Sequence, residues 1–220
     1  MKAWALAALL LLLTCCAGKP PEIVRTSLQL LYVYDRDSGE TAEELAVHIV
    51  ADDEDGLDDL ECLYLISDAS ELYWSLDSES WAEPKSGSDS WIGSARLAMP
   101  SGQPFPRGRY RVRLCDLSGD SAEAELALDI PPLDRDSLPF PRAQIAGGRI
   151  EIRGSFTEYT LLVYNTAGAY ARSVGVRGEG TTIDAIKRSD ATLRSGFSFW
   201  VYTYWSRSGV GLLIGPYYVD

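Results

Sequence analysis

Histidine is almost absent from this sequence: His48 is the only one among 220 residues. Hydrolysis by a Ser-His-Asp arrangement needs a histidine beside a nucleophile, and His48 lies in the middle of an alternating segment with no nucleophile motif nearby. The sequence also lacks a G-x-S-x-G segment and a phosphate-binding P-loop. These absences predict a protein that is not an enzyme and that carries no cofactor.

Cysteine is also scarce, with four residues and no C-x-x-C pair. With a single histidine available, this pattern excludes the common structural zinc sites. Beyond the N-terminal stretch only Cys62 and Cys115 remain. In an exported protein these two residues can form a disulfide, and two separate thiols are the open alternative.

Basic residues are outnumbered: 20 Lys and Arg stand against 32 Asp and Glu, and the net charge is −12. An excess of negative charge repels the phosphate backbone, so we expect no nucleic-acid partner. An apolar content of 46% with 19 glycines and 11 prolines excludes a disordered chain and favours a packed core.

Long apolar runs are absent except at the N-terminus, where residues 3–13 follow the single cation Lys2. The run is too short to span a membrane, which needs about 20 apolar residues. Pro20 and Pro21 prevent a helix from continuing. A basic start, a short apolar run and a small-residue exit are typical of a secretory signal peptide.

The end of this stretch resembles the signal of bacterial lipoproteins, in which a leucine stands three residues before the cysteine that is lipidated. Leu12 precedes Cys15 in this way, and Leu13 precedes Cys16. The resemblance implies a signal peptide over residues 1–16, cleavage before Cys15 or Cys16, and a membrane-anchored protein of the bacterial cell envelope, periplasmic or surface-exposed. The alternative is ordinary cleavage near Ala17.

Period-two alternation dominates residues 22–130 and predicts an all-β domain. Seven short strands separated by polar turns favour an antiparallel β-sandwich. The expected strands cover residues 27–34, 45–50, 60–66, 71–76, 91–99, 109–116 and 122–130. Residues 108–128 (GRYRVRLCDLSGDSAEAELAL) resemble the last hairpin of bacterial immunoglobulin-like and fibronectin type III-like domains, which implies a fold and no activity.

Residues 131–142 hold four prolines in a short polar window and predict a semi-rigid linker. A second, smaller sandwich with fibronectin III-like spacing is expected over residues 143–220. Its predicted strands cover residues 144–153, 159–165, 169–176, 181–186, 197–206 and 210–219. The fold prediction is therefore two antiparallel β-sandwich domains after a signal peptide.

An acidic turn after the second predicted strand is the candidate metal site. Clustered carboxylates can hold Ca²⁺, which takes six to eight oxygen ligands. The candidate ligands are Asp52, Asp53, Asp55, Asp58 and Asp59. Their spacing differs from that of an EF-hand loop, so a solvated turn is the simpler interpretation and no metal is expected.

Two groups of aromatic residues are the candidate binding residues. They are Trp74, Trp81 and Trp91 in the first domain, and Trp200, Tyr202 and Tyr204 in the second. Exposed rings can stack on sugars or on partner side chains, whereas packed rings would only complete the cores.

Two functional hypotheses follow from these observations. The first is a non-enzymatic envelope protein that is bound to the membrane by its N-terminal lipid and that has a structural role or binds a protein partner. The alternative is a module that binds glycan or peptidoglycan through the aromatic groups. Exposure of at least two coplanar rings would favour the glycan.

Overall fold

The structure is a computed structural model that describes residues 19–54, 56–81, 85–86, 89–100, 102–177 and 180–220. The predicted signal peptide, with Cys15 and Cys16, lies outside these residues, and so does Asp55. The described chain consists mainly of strands in several antiparallel sheets arranged like a β-sandwich, so the all-β prediction is confirmed. No helix in these ranges combines the length and the apolar character needed to cross a membrane.

In the ranges that the structure describes, the regular elements are fifteen strands, one short α-helix and four 3₁₀-helices of three residues each. The strands are β1 (Glu22–Asp35), β2 (Glu40–Asp52), β3 (Leu60–Ser67), β4 (Leu72–Asp77), β5 (Lys85–Ser86), β6 (Asp89–Ala98), β7 (Gly108–Asp116), β8 (Ser121–Leu128), β9 (Arg142–Ala146), β10 (Arg149–Arg153), β11 (Glu158–Asn165), β12 (Tyr170–Arg177), β13 (Thr181–Thr182), β14 (Phe197–Trp205) and β15 (Val210–Val219). The helix is α1 (Ile183–Ser189).

Contacts divide the chain into two compact units whose boundaries differ from the predicted 22–130 and 143–220. The first unit holds the described residues up to Leu28, with Ala46–Leu97 and Gly108–Leu128; the second holds Gln29–Leu45, Ala98–Arg107 and Asp129–Asp220. The division passes through β1 and β2, which are 14 and 13 residues long. Strands of this length can contribute one half to each core, which a boundary drawn from local composition does not detect.

The first unit contains an antiparallel sheet in the order β4-β3-β7-β8. Alternation places Leu63 of β3 and Val112 of β7 on its inner side, and both are almost fully buried. They share one hydrophobic core with Ile49 of β2 and Ile92 of β6. Strands from opposite sides therefore enclose a common apolar layer, as expected of a sandwich.

The second unit is organised by the strand order β12-β11-β14-β15-β1-β2. Here β1 pairs in parallel with β15, with Leu31 opposite Gly211 and Asp35 opposite Gly215. The alternating residues Phe197, Phe199 and Val201 of β14 are buried in the core. The other sheet, β13-β10-β9, contributes Ile150 to the same core.

Two predicted strands of the second unit were wrong in part. Residues 144–153 form the two strands β9 and β10, because Gly147 and Gly148 both adopt positive φ (55° and 74°) and reverse the chain. Residues 181–186 contain only the short β13 before α1 begins. Thr182 caps this helix by accepting a hydrogen bond from the Ala185 N–H, which favours the helix over a longer strand.

The proline-rich residues 131–142 pack within the second unit. The Leu133 N–H donates to the Tyr32 hydroxyl at 3.0 Å, and the Arg135 Nη1 donates to the Thr41 carbonyl at 2.9 Å. Leu138 is buried. The segment predicted as a spacer is therefore held along its length by side chains and backbone of this unit.

Candidate functional site

The acidic turn brings together fewer of the predicted carboxylates than expected, and adds one that the sequence analysis missed. The carboxylate oxygens of Asp53, Asp59 and Asp116 lie within 4.8 Å of one another. Asp116 ends β7 and reaches the turn because the Leu117 N–H donates to the Asp59 carbonyl at 2.9 Å. Asp52 and Asp58 are exposed at the surface.

Among the described residues of the first unit, these three carboxylates could hold a divalent cation, because hard oxygen atoms are the ligands that Ca²⁺ prefers. Asp116 is only 1% exposed, and its Oδ1 accepts hydrogen bonds from the Ser118 hydroxyl and the Asp120 N–H at 2.8 Å each. Asp116 therefore already stabilises the β7–β8 turn. A cluster of acidic side chains by itself does not indicate a ligand, and we assign it none.

The two cysteines of the first unit lie directly opposite each other. The register of the antiparallel pair β3–β7 places Cys62 beside Cys115, and both are free thiols. Both side chains are half-buried and alternate along their strands with the core residues Leu63 and Leu114. Burial, followed by the hydrogen bond with Cys62, raises the pKa of the Cys115 thiol to about 11.

In an oxidising compartment we expect Cys62 and Cys115 to form a disulfide, since the register already brings them together. Closing a loop of about 50 residues should raise the free energy of unfolding by about 4 kcal/mol. Urea unfolding with and without reductant measures the difference in the free energy of unfolding between the oxidised and the reduced protein. In the Cys62→Ser variant, which cannot form the disulfide, the reductant should cause no such difference. Thiols that remain fully titratable after mild oxidation would contradict the expectation.

The three predicted tryptophans of the first unit all pack against their own chain. Trp81 is 9% exposed and belongs to the core. The Trp74 ring lies 6.4 Å from the Tyr110 ring. The Arg25 guanidinium lies over the half-buried Trp91 ring at 5.7 Å, a cation–π contact.

The three predicted aromatics of the second unit differ in exposure. The Trp200 ring covers Gly215, where an added Cβ would lie 2.6 Å from the ring. The Tyr202 hydroxyl accepts a hydrogen bond from the Gln29 amide at 3.0 Å, and burial raises the pKa of Tyr202. Tyr204 is 50% exposed. Of the six candidate rings, only Tyr204 is therefore exposed to solvent.

His48 of β2 is half-buried, on the opposite side of the strand from the core residues Val47 and Ile49. Burial lowers the pKa of the imidazole, which keeps it neutral at pH 7. His48 therefore lies in the middle of a strand, as the alternating segment around it predicts.

A buried polar cluster in the second unit is centred on Glu43 of β2, whose side chain is 1% exposed. Its two carboxylate oxygens accept hydrogen bonds from the Arg107 guanidinium at 2.8 and 2.9 Å, from the Tyr32 hydroxyl at 2.9 Å and from the Phe105 N–H at 2.9 Å. Burial alone would raise the pKa of Glu43, but these hydrogen bonds outweigh it and hold the pKa below its ordinary value. Glu43 is therefore a buried charged residue whose two carboxylate oxygens both accept hydrogen bonds.

A cleft of about 700 Å³ is a second feature of this unit that the sequence analysis missed. Three arginines, Arg36, Arg135 and Arg142, contribute to its lining. Apolar side chains form most of the remaining lining, including Tyr34, Leu138, Phe140, Ile214 and Tyr217. No sequence motif marks the cleft, because Arg36 is distant in sequence from Arg135 and Arg142.

No protein-family model matches the chain, and no curated protein matches it. Among solved structures, the chain is similar to the BSP domain of a biofilm-associated protein, with 13% sequence identity and a TM-score of 0.26. The similarity covers 80% of this chain and 27% of that chain, so the present chain spans about a quarter of its length. A TM-score this low carries no argument about function.

Proposed function

We propose that this chain is a non-enzymatic protein of the bacterial cell envelope that is held on a membrane by a lipid on Cys15 or Cys16 and binds a protein partner. The observation that carries the interaction role is the packing of the candidate aromatics. Five of the six rings contact their own chain or are partly buried, and only Tyr204 is exposed. A flat platform of several rings for stacking on sugar is therefore not formed by these residues.

The membrane anchor is supported by the order of residues at the N-terminus. Lys2, the apolar residues 3–13 and the two adjacent cysteines have the layout of a lipoprotein signal. Each buried acyl CH₂ contributes about 0.8 kcal/mol, so several chains together hold a folded domain on a membrane. The all-β chain that follows is then presented in the envelope on the far side of the cytoplasmic membrane.

The anchor is tested by expressing the full chain in a bacterium and measuring the intact mass of the mature protein. We expect cleavage before Cys15 or Cys16 and an added acyl mass, with the protein in the membrane fraction. The Cys15→Ser/Cys16→Ser double variant should lose the added acyl mass and should no longer be found in its lipidated form in the membrane fraction. Cys62→Ser is the matched control, because it removes a cysteine from the folded part and should leave the lipid in place.

The partner is tested by chemical cross-linking of intact cells of the bacterium that carries the chain. A discrete species of higher mass that contains this chain and a second protein is the expected result. An unprocessed leader without acyl mass would refute the anchor. A chain that forms no cross-linked species would refute the interaction role.

A further inference from the structure

We propose that the cleft lined by Arg36, Arg135 and Arg142 is the partner site, and that it binds an acidic segment of the partner protein. This inference rests on the proposed interaction role and adds the place and the chemistry of the contact. All residues of the cleft lie in the second unit. The site is therefore built within one compact part of the chain.

The charge of the cleft is opposite to that of the chain. The chain carries a net charge of −12, yet the lining contains three arginines and the single carboxylate of Asp136. Among the described residues, none of these three arginines forms an ion pair with a carboxylate. A cationic cleft on an acidic protein attracts anionic segments and repels further copies of the same chain.

Nearby carboxylates on the β1–β2 turn are engaged locally. The Asp35 Oδ1 accepts hydrogen bonds from the N–H groups of Asp37 and Ser38, at 2.8 and 3.1 Å. The Asp37 carboxylate accepts a hydrogen bond from the Tyr218 hydroxyl at 2.6 Å. Both carboxylates therefore already accept hydrogen bonds, Asp35 within the turn and Asp37 from Tyr218 of β15.

Two of the guanidinium groups are held in place by neutral partners. Arg36 lies over the Tyr217 ring at 3.9 Å and donates from Nη1 to the Pro216 carbonyl at 2.9 Å. Arg135 donates from Nη1 to the Thr41 carbonyl. A guanidinium has five N–H donors, so both groups retain donors for a carboxylate. Positioned donors of this kind bind carboxylates in the two-pronged geometry that makes arginine common at binding sites.

Arg142 differs from the other two because its exposed side chain makes no hydrogen bond or ion pair within the described ranges. It begins β9 on the lining of the cleft. A substitution at Arg142 therefore removes a cation from the cleft without removing a contact that stabilises the fold.

The rings of the cleft favour a peptide over a sugar. Tyr217 is covered by Arg36 on one face and stacks on Phe199, with 5.1 Å between the ring centroids and an interplanar angle of 13°. The rings of Tyr34 and Phe140 tilt against each other at 5.8 Å. Tyr217 thus has no free face for a sugar ring, whereas the apolar lining suits aliphatic side chains between acidic ones.

The test is a calorimetric titration of the full chain with three probes at low salt. The probes are a short blocked peptide of alternating glutamate and valine, the same peptide with glutamine for glutamate, and oligogalacturonate. We expect the acidic peptide to bind, and the Arg135→Gln/Arg142→Gln double variant to weaken it about tenfold. Added salt should weaken the binding as well, because Arg142 is exposed to solvent and Arg135 is only half-buried.

Two single variants keep the result interpretable. Arg142→Gln leaves the contacts of the fold intact and should weaken binding by about threefold to fivefold. Arg207→Gln, on the β14–β15 turn, is the matched control, since it removes an exposed arginine that does not line the cleft. It should change the affinity by less than about twofold.

Three outcomes would overturn the site. They are no binding of the acidic peptide, equal binding of the glutamine peptide, and an equal loss of affinity in Arg207→Gln. Tighter binding of oligogalacturonate that is lost in the double variant would instead assign the cleft to an acidic saccharide. If the acidic peptide does not bind but cross-linking of intact cells still yields a partner, the proposed interaction role stands and only the assignment of the partner site to this cleft is refuted.

Discussion

Replacing Glu43 with alanine is expected to lower the free energy of unfolding by about 3–5 kcal/mol. The substitution leaves the Arg107 guanidinium, 18% exposed, without its carboxylate partner, and the buried Tyr32 hydroxyl and Phe105 N–H lose an acceptor. The Arg107 guanidinium keeps its hydrogen bonds to the Ile130 and Phe105 carbonyls, but the loss of the opposite charge beside a largely buried cation is the costly part of the substitution. Urea unfolding followed by tryptophan fluorescence measures it.

Glu40→Ala is the matched control for this experiment, because Glu40 lies on the same strand and is exposed. Its effect should remain within about 0.5 kcal/mol. The Glu43→Leu/Arg107→Leu double variant should be less destabilised than Glu43→Leu alone, since both charges are then removed together. A loss below about 1 kcal/mol for Glu43→Ala would contradict the role assigned to the cluster.

The same carboxylate predicts a pH dependence. The pKa of Glu43 is lowered in the folded chain, so its contribution to stability is complete above the ordinary pKa of about 4.3. The contribution is lost as the pH falls through the lowered folded pKa. The difference in unfolding free energy between the wild type and Glu43→Gln should therefore narrow below about pH 4.

Replacing Gly93 with alanine is expected to cost more than about 3 kcal/mol. Gly93 lies in β6 with φ near 150°, where a Cβ would stand 2.1 Å from the Val47 carbonyl oxygen and 2.9 Å from the His48 Cα. Both neighbours are backbone atoms of β2, so the clash cannot be relieved by turning a side chain. A lowered urea midpoint with an unchanged slope is the expected signature.

Gly175→Ala provides the comparison, since Gly175 also lies within a strand but has no heavy atom within 4 Å of an added Cβ. We expect its stability to change by less than about 0.5 kcal/mol. Equal losses in the two variants would mean that strand entropy, and not the close approach to β2, explains the effect at Gly93.

Alternation of apolar and polar residues predicted most of the strands. Residues 60–66, 109–116 and 197–206 correspond to β3 (Leu60–Ser67), β7 (Gly108–Asp116) and β14 (Phe197–Trp205). This signal is local, because a strand buries every second side chain whatever it pairs with. It failed at the Gly147–Gly148 turn, where two glycines with positive φ interrupt a run that otherwise reads as one strand.

The candidate binding residues could not be placed in the same way. When a strand such as β14 has aromatic residues on both sides, its sequence does not show whether a ring on the side away from the core is exposed or packed against another part of the chain. In the structure Trp200 lies on Gly215 of the next strand, β15, and the Tyr202 hydroxyl bonds to Gln29 of the distant strand β1. The pairing of strands therefore decides which ring is exposed. Asp116 could not be predicted as part of the acidic turn for the same reason. It lies on a different strand, and the hydrogen bond from the Leu117 N–H to the Asp59 carbonyl brings it there.

By itself the amino-acid sequence determined the all-β class, most strand positions and the acidic character of this protein, because each depends on residue type and near-neighbour spacing. Tertiary structure alone decided that β1 lies beside β15, that the proline-rich segment packs on Tyr32 and Thr41, and that Arg36 and Arg142 line one cleft. These arrangements are selected by the burial of apolar surface and by hydrogen bonds between residues far apart along the chain.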